Sequence, residues 1–407
     1  VPDIPTRIGS YSPENSQKTY SGAVRADEAL ARSLNVPFVR LLRSYGIERF
    51  ASSLKRLGFT TLHREPADYG LTLILGGAEV TLLEAARAYS TLAGVTQAPA
   101  GPLDEAQSRS GSIGSAPFGA GAAWLTLEAL VDVGRPGDDA SWQEYASSRR
   151  IAWKTGTSFG SRDAWAIGVS GGYVVAVWAG NADNTGRPGL RGTDAAAPLM
   201  FDLFSLLPPE PWFEAPAQML DTILVCSHSG FAAGPDCQGT TTALVPSGAN
   251  PDSPCPYCRL VHLSEDGRYR VSAETAGAGG IRAVKRFVLP PAMEWYASRS
   301  GMGYIPLPPW APGSPMTTQD SFDIVSPEQG STLYIPVELD GRSGKTVFRA
   351  LARDGVMELF WELDGHYLGR TRGDHRLEAR PASGRHILSV TDEYGTSLTR
   401  TFDVSPR

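Results

Sequence analysis

Several things are scarce in this chain, and each scarcity narrows what it can be. No stretch approaches the run of about 20 apolar residues that a membrane span needs, so the 407 residues read as soluble as they stand. Positive charge never gathers into a block, and 37 Lys plus Arg against 43 Asp plus Glu leave a net charge of −6. The electrostatic footprint of a nucleic-acid binder is therefore missing. Cysteine occurs only at Cys226, Cys237, Cys255 and Cys258, inside one short stretch, as expected if the four close one local structure. No fixed-period repeat runs through the chain, which excludes a solenoid. The carboxylates show no spacing that suits a glycosidase acid and base. The first residue is Val1, with no charged-then-apolar signal segment after it, so targeting information would lie upstream and the chain reads as a fragment or processed product.

What is plentiful is glycine, at 44, and proline, at 31, a share above the average that weighs toward loops, β-structure and linkers over a helical bundle. The length alone suggests two or three domains. Residues 1–206 read as mixed helix and strand. Ser21–Ser33 is helical in composition, Pro37 sits near the start of a second helix that stops at Gly46, and Asn35 falls in the break between them. Ile47, Phe50, Ala51, Leu54 and Leu57 recur at helical spacing, and Thr81 with Glu84 forms a capping box ahead of Leu82–Leu92. Residues 96–121 read as a long surface loop before a helix over 122–131. Strands are expected over 151–157, 164–170 and 173–180, with Gly171-Gly172 turning the last two into a hairpin. Residues 207–316 form a cysteine- and proline-rich connector. Residues 317–407 alternate in short runs separated by Asp340-Gly341, Asp364-Gly365 and a turn near Asp392, which predicts an all-β sandwich of immunoglobulin size.

Two short motifs carry chemistry. Ser33-Leu34-Asn35 is an S-x-N triplet, and Lys154-Thr155-Gly156-Thr157-Ser158 opens with K-T-G-T. Alone, neither says much: serine and asparagine commonly cap helices, and a glycine-bearing run of this kind suits any edge strand. Their order says more. Serine acyltransferases that recognise penicillin are built from S-x-x-K, then S-x-N, then K-T-G beside the nucleophile. The flanking residues EALARSLNVPFVRLL (28–42), LGGAEVTLLEAARAYSTLA (75–93), KTGTSFGSRDAWAIG (154–168) and VAVWAGN (175–181) closely resemble the transpeptidase domain of class A penicillin-binding proteins. The later VCSHSGFAAGPDC (225–237), CPYC (255–258) and IVSPEQG (324–330) extend the resemblance over essentially the whole chain.

The resemblance implies an α/β transpeptidase domain of the serine β-lactamase-like kind, here incomplete, followed by the connector and the sandwich. It implies a peptidoglycan D,D-transpeptidase that needs no cofactor, acts on stem peptides ending in D-Ala-D-Ala and is acylated by β-lactams. It also implies a periplasmic location, an inner-membrane anchor and a glycosyltransferase upstream, none of them in this chain. By the same resemblance Ser33 would relay a proton, Asn35 would bind the substrate backbone and Lys154 would supply positive charge. Thr155 and Thr157 would hold the terminal carboxylate, Gly156 would let substrate lie against the strand as an added strand, Ser158 would join them in binding substrate, and the N–H of Thr157 would be an oxyanion donor.

One departure stands out. None of the 32 residues before Ser33 forms S-x-x-K, so the nucleophile of the family pattern is missing, supplied by another piece or lost by truncation. Ser52 to Lys55 is an S-x-x-K, but it follows S-x-N and falls on a solvated helix face. The rival to an enzyme portion is a catalytically silent fragment that binds cell-wall material or a protein partner. For the four cysteines two readings stay open: a structural zinc site, which the C-x-x-C half favours, and two disulfides, which a periplasmic address favours. His228 and His262 lie close enough in sequence to compete as ligands. Trp165 and Trp178 read as core residues, and Asp163 is expected to cap or to pair with Lys154 or Arg162.

Overall fold

The computed structural model describes residues 1–9, 11–97, 116–135, 149–249, 253–272, 280–301, 303–312, 321–336, 344–355 and 357–406. They divide into two compact units: Arg25–Leu224 with Thr242–Pro251, and Val1–Val24 with Val225–Thr241 and Asp252–Arg407. Among the described residues no helix is long and apolar enough to cross a membrane.

The first unit begins with α1 (Ala26–Ala31) and α2 (Asn35–Tyr45). Asp27 and Glu28 occupy the first turn of α1, where negative charge meets the positive end of the helix dipole. The helix ends before the expected Ser33, because Ser33 takes a left-handed φ of 54° and the N–H of Leu34 returns to the carbonyl of Ala29. Pro37 lies in the first turn of α2, where its missing N–H costs no helical bond. Val36, Val39 and Leu42 face inward at three-residue spacing, and Gly46 stops the helix at a φ of 97°. Helix α3 (Ile47–Arg56) follows, with Ser52 and Lys55 both exposed.

Helix α4 (Leu82–Gln97) starts on the capping box: the N–H of Glu84 donates to Thr81 Oγ1 at 3.1 Å and the N–H of Thr81 returns to Glu84 Oε2 at 3.1 Å. Helix α5 (Ala120–Val131) begins two residues earlier than composition suggested. The helices thus take in both margins of the loop expected over 96–121, because Val95, Ala120 and Ala123 bury one another; its centre, 98–115, lies outside the described residues.

Strands β1 (Ala152–Thr157), β2 (Asp163–Val169) and β3 (Val174–Gly180) form an antiparallel sheet in that order. Lys154 stands opposite Ile167 and Gly156 opposite Trp165. Gly171 and Gly172 make the two-residue turn of the second hairpin, closed by Ser170 N–H to Tyr173 O at 2.9 Å. Helix α6 (Ala197–Ser205) sends Met200 and Phe204 into the core under this sheet, with Leu127, Trp153 and Val169. The indole N–H of Trp153 donates to Val133 O at 3.0 Å, which lets a large amphipathic ring be fully buried.

The ladder of β4 (Leu220–Cys226) with β5 (Thr240–Pro246) precedes that of β6 (Cys258–Ser264) with β7 (Ile281–Phe287). Composition put residues 1–24 with the first 206, but they belong to the second unit. Ile4 and Ala23 share an apolar cluster with Leu289, Ala292 and Met293 at helix α7 (Pro291–Ala297), and burial there outweighs proximity in sequence. Glu294 of the same helix forms a buried ion pair with Arg353 and accepts from the Tyr304 hydroxyl at 2.8 Å.

Beyond it come β8 (Phe322–Ser326), β9 (Thr332–Ile335), β10 (Thr346–Ala352), β11 (Glu358–Leu363), β12 (His366–Arg372), β13 (Arg376–Ala379), β14 (Gly384–Asp392) and β15 (Ser397–Pro406). They form a three-stranded sheet, β8-β10-β13, and a five-stranded sheet, β9-β15-β14-β11-β12. Both sheets supply one apolar core, with Phe348 from the smaller and Leu359, Trp361, Leu388 and Phe402 from the larger. Asp364 and Gly365 have φ of 51° and 77° and turn β11 into β12, as the pair predicts. Asp340-Gly341 lies outside the described residues.

Accepting hydrogen bonds from the Thr60 hydroxyl, the Thr60 N–H and the Thr81 N–H holds the Glu84 carboxylate down at about 2. Its folded value lies below its unfolded one, so its stabilisation is complete above about pH 4.5 and is lost as pH falls through about 2. Glu84→Ala is expected to cost about 1–2 kcal/mol at pH 7. The difference from wild type in urea unfolding should shrink below pH 4; a constant difference down to pH 2 would refute the assignment.

Candidate active site

Strand β1 has one partner among the described residues, β2, and so it forms an edge of its sheet. Its inner end is anchored by Ala152 and Trp153, both fully buried, while Lys154 to Thr157 come progressively into the open. The Lys154 ammonium donates to two oxygens, the hydroxyl of Ser33 and, at 3.1 Å, the carbonyl of Thr155. Ser33 is brought to this point by the break between α1 and α2, where its left-handed backbone is a strained conformation for a residue with a side chain. Asn35 is the first residue of α2, two positions further on and half-buried. The structure thus joins two motifs that are 121 residues apart.

Among the described residues Lys154 has no carboxylate partner, and desolvation pushes its pKa down to about 8. An amine at that value exchanges a proton with a neighbouring hydroxyl near neutral pH far more readily than an ordinary lysine does.

The exposed part of β1 lines a cleft of about 660 Å³. The opposite wall comes from residues 75–80 and from Ala85 and Tyr89 of α4, and Phe159 stands at its rim, 96% exposed. The Thr157 hydroxyl accepts from the N–H of Gly192 at 3.1 Å. A side chain at Gly192 would run into the carbonyls of Trp165 and Gly156, so only glycine lets this turn approach the strand so closely. Ser158 is engaged in the turn: its Oγ accepts from the N–H of Asp163 at 2.9 Å. Asp163 in turn accepts from the Trp178 indole at 2.9 Å. Trp178 is 37% exposed and not the core residue expected, because its ring is held on the sheet surface by that bond.

Sequence patterns alone did not reveal the part of the Gly192 turn or of Phe159. The run Arg191-Gly192-Thr193 carries a signal only once its turn is seen against β1.

The four cysteines lie elsewhere, in the second unit. Their sulfur atoms all fall within 4.8 Å of one another, and none is bonded to another. Neither His228 nor His262 belongs to the group.

Residues 2–187 match the family model described as the penicillin binding protein transpeptidase domain, and residues 311–402 match the Penicillin-Binding Protein C-terminus Family. Penicillin-binding protein 1C of Escherichia coli is 38% identical over 211 residues, 50% of this chain and 26% of that protein. Both matched regions belong to penicillin-binding protein families. Penicillin-binding protein 1B of Vibrio cholerae is 32% identical over 183 residues, 43% of this chain and 23% of that protein. The chain thus spans about a quarter of the length of these curated relatives. The crystal structure of Penicillin-Binding Protein 1A from Haemophilus influenzae covers 63% of this chain and 45% of its own, at 22% identity and a TM-score of 0.49. In the family match, S-x-N and K-T-G lie inside the transpeptidase region, and the described β-rich end coincides with the second matched family.

Competitive acetylation of Lys154 against pH, read by peptide mass spectrometry, should show a midpoint near 8; a midpoint at the ordinary lysine value of 10.5 would show that the ammonium is not desolvated. Because the folded value is the lower one, the folded state binds fewer protons between these limits, and this residue's contribution to stability should grow as pH rises across that window.

Proposed function

We propose that this chain is the C-terminal portion of a peptidoglycan D,D-transpeptidase, in which Ser33 and Lys154 serve an S-x-x-K nucleophile carried on a segment upstream. The observation that carries this reading is the hydrogen bond from Lys154 on an edge strand to Ser33 at a helix break. Lys154, with its pKa lowered to about 8, would pass a proton through the Ser33 hydroxyl between the nucleophile and the leaving amine. The nucleophilic serine would attack the penultimate D-Ala carbonyl and release the terminal D-Ala. The amine of a neighbouring stem peptide would then take the acyl group and restore the serine. No cofactor enters either step.

A free strand edge is suited to an extended peptide, which would add along β1 through main-chain hydrogen bonds. Gly156 keeps that edge open, the hydroxyls of Thr155 and Thr157 would receive the terminal carboxylate, and Asn35 would bind the peptide backbone. Ser158, already tied to Asp163, would act by holding the end of the strand in place. The N–H of Thr157 would be one oxyanion donor and that of the nucleophile the other. β-Lactams, which imitate the D-Ala-D-Ala bond, would acylate the same serine. Ser52 and Lys55 take no part, since both are exposed to solvent on α3.

The intact protein would be periplasmic, held in the inner membrane by an upstream anchor and joined to a glycosyltransferase. In that organisation residues 1–206 are the transpeptidase portion, with residues 1–24 packed in the second unit, 207–316 a connector and 317–407 an immunoglobulin-like sandwich, the last supported by two sheets around one core.

Intact mass after incubation with a reactive penicillin tests the assignment. The protein extended upstream to include S-x-x-K should gain one penicillin, and Ser33→Ala or Lys154→Ala should slow acylation by about 10²–10⁴-fold. The 407-residue chain by itself should gain none. An adduct on this chain that disappears in Ser52→Ala would place the nucleophile here and overturn the proposal.

A further inference from the structure

Three separate stretches of chain deliver four sulfur atoms to one place. Strand β4 ends at Cys226, a turn after it supplies Cys237, and Cys255 and Cys258 stand at the entry to β6. The four Sγ atoms lie within 4.8 Å of one another, with Cys226 and Cys258 3.6 Å apart. A disulfide needs about 2.0 Å and divides four sulfurs into two bonded pairs. Four thiolates around one zinc ion, each about 2.3 Å from it, stand about 3.8 Å apart along every edge of a tetrahedron. With no pair at bonding distance and all four sulfurs within 4.8 Å of one another, the cluster is closer to the second arrangement.

We infer that Cys226, Cys237, Cys255 and Cys258 bind one structural Zn²⁺. The inference is independent of the transpeptidase reading and concerns a different part of the chain. As each S–Zn bond forms, the thiol gives up its proton to solvent, so four thiols release four protons and nothing is oxidised or reduced. All four positions of the ion are then taken by sulfur, which leaves none for water or substrate and makes the site structural. Such a centre carries two net negative charges, and the surroundings meet them with donors. The N–H of Gly234 points at Cys237 Sγ at 3.2 Å, and Ser229 Oγ lies 3.2 Å from Cys255 Sγ. His228 does not belong to the cluster of ligand atoms, and its ring stacks on Phe287, 5.2 Å away.

The ion answers a local need. Among the described residues, isolated bridges of Val225 with Ala232 and Ala232 with Pro254 link the cysteine-bearing segments, in addition to the ladders that Cys226 ends and Cys258 begins. A four-coordinate cross-link would tie these segments together in addition to the backbone bonds among them.

The test uses the full chain, purified without chelator and without added metal, and measures bound metal and intact mass together. One zinc per chain is expected, with the denatured mass at the value for four free thiols; a mercurial should release the zinc in step with thiol modification. Two disulfides would instead lower the mass by about 4 Da, and that result without zinc overturns the inference. Iron in place of zinc overturns the choice of metal. Replacement by Co²⁺ should give the intense ligand-field absorption of a tetrahedral thiolate site. Cys237→Ser, at the partly exposed corner, should weaken zinc binding by at least about 10-fold. Zinc retained unchanged in both Cys237→Ser and Cys258→Ser would place the ion elsewhere. Metal content and mass are read on the unaltered chain, so a variant that folds poorly does not change what those two measurements decide.

Discussion

One lysine ammonium, held away from bulk water and donating to a serine hydroxyl 121 residues earlier, is the contact on which the candidate site depends. Two conditions must be met for it to exist. Strand β1 must be pinned at its inner end, which the burial of Trp153 and its bond to Val133 accomplish. The chain must also break between α1 and α2, which Ser33 accomplishes by adopting a left-handed backbone that its neighbours enforce through the return bond from Leu34 to Ala29. Desolvation then lowers the lysine pKa, and the same burial that makes the ammonium costly makes it a useful proton carrier.

The remainder of the first unit follows from the same strand. Because β1 is an edge, its outer side opens on a cleft, and because Gly192 carries no side chain, a second turn can approach close enough to hydrogen-bond Thr157. The second unit is organised differently. Helix α7 gathers Ile4 and Ala23 into its apolar cluster and buries Glu294 against Arg353. A pair of this kind adds little net stability but is costly to break, since either partner left alone would be a buried charge.

Much of the first unit was legible because its signals are local. The Thr81 and Glu84 box, the Gly171-Gly172 turn and the alternating strands each involve residues within a few positions of one another, and the structure has them close to where patterns put them. The misplacements arose where a distant partner intervened. Residues 1–24 joined the second unit because Ile4 and Ala23 found apolar surface near residue 290, and Trp178 stayed on the sheet surface because Asp163 received its N–H. Neither relation leaves a trace at the spacing that periodicity reads.

By itself the sequence determined the family, the order of S-x-N and K-T-G, the hairpins and the clustering of four cysteines, because each of these is written in residue type and short spacing. Only the tertiary structure decided that Lys154 reaches Ser33, that β1 is an open edge beside a cleft, and that four sulfurs from three stretches meet at a common point. Proton exchange and metal coordination both require atoms within a few ångströms, and that proximity is created by burying apolar surface between segments far apart in the chain.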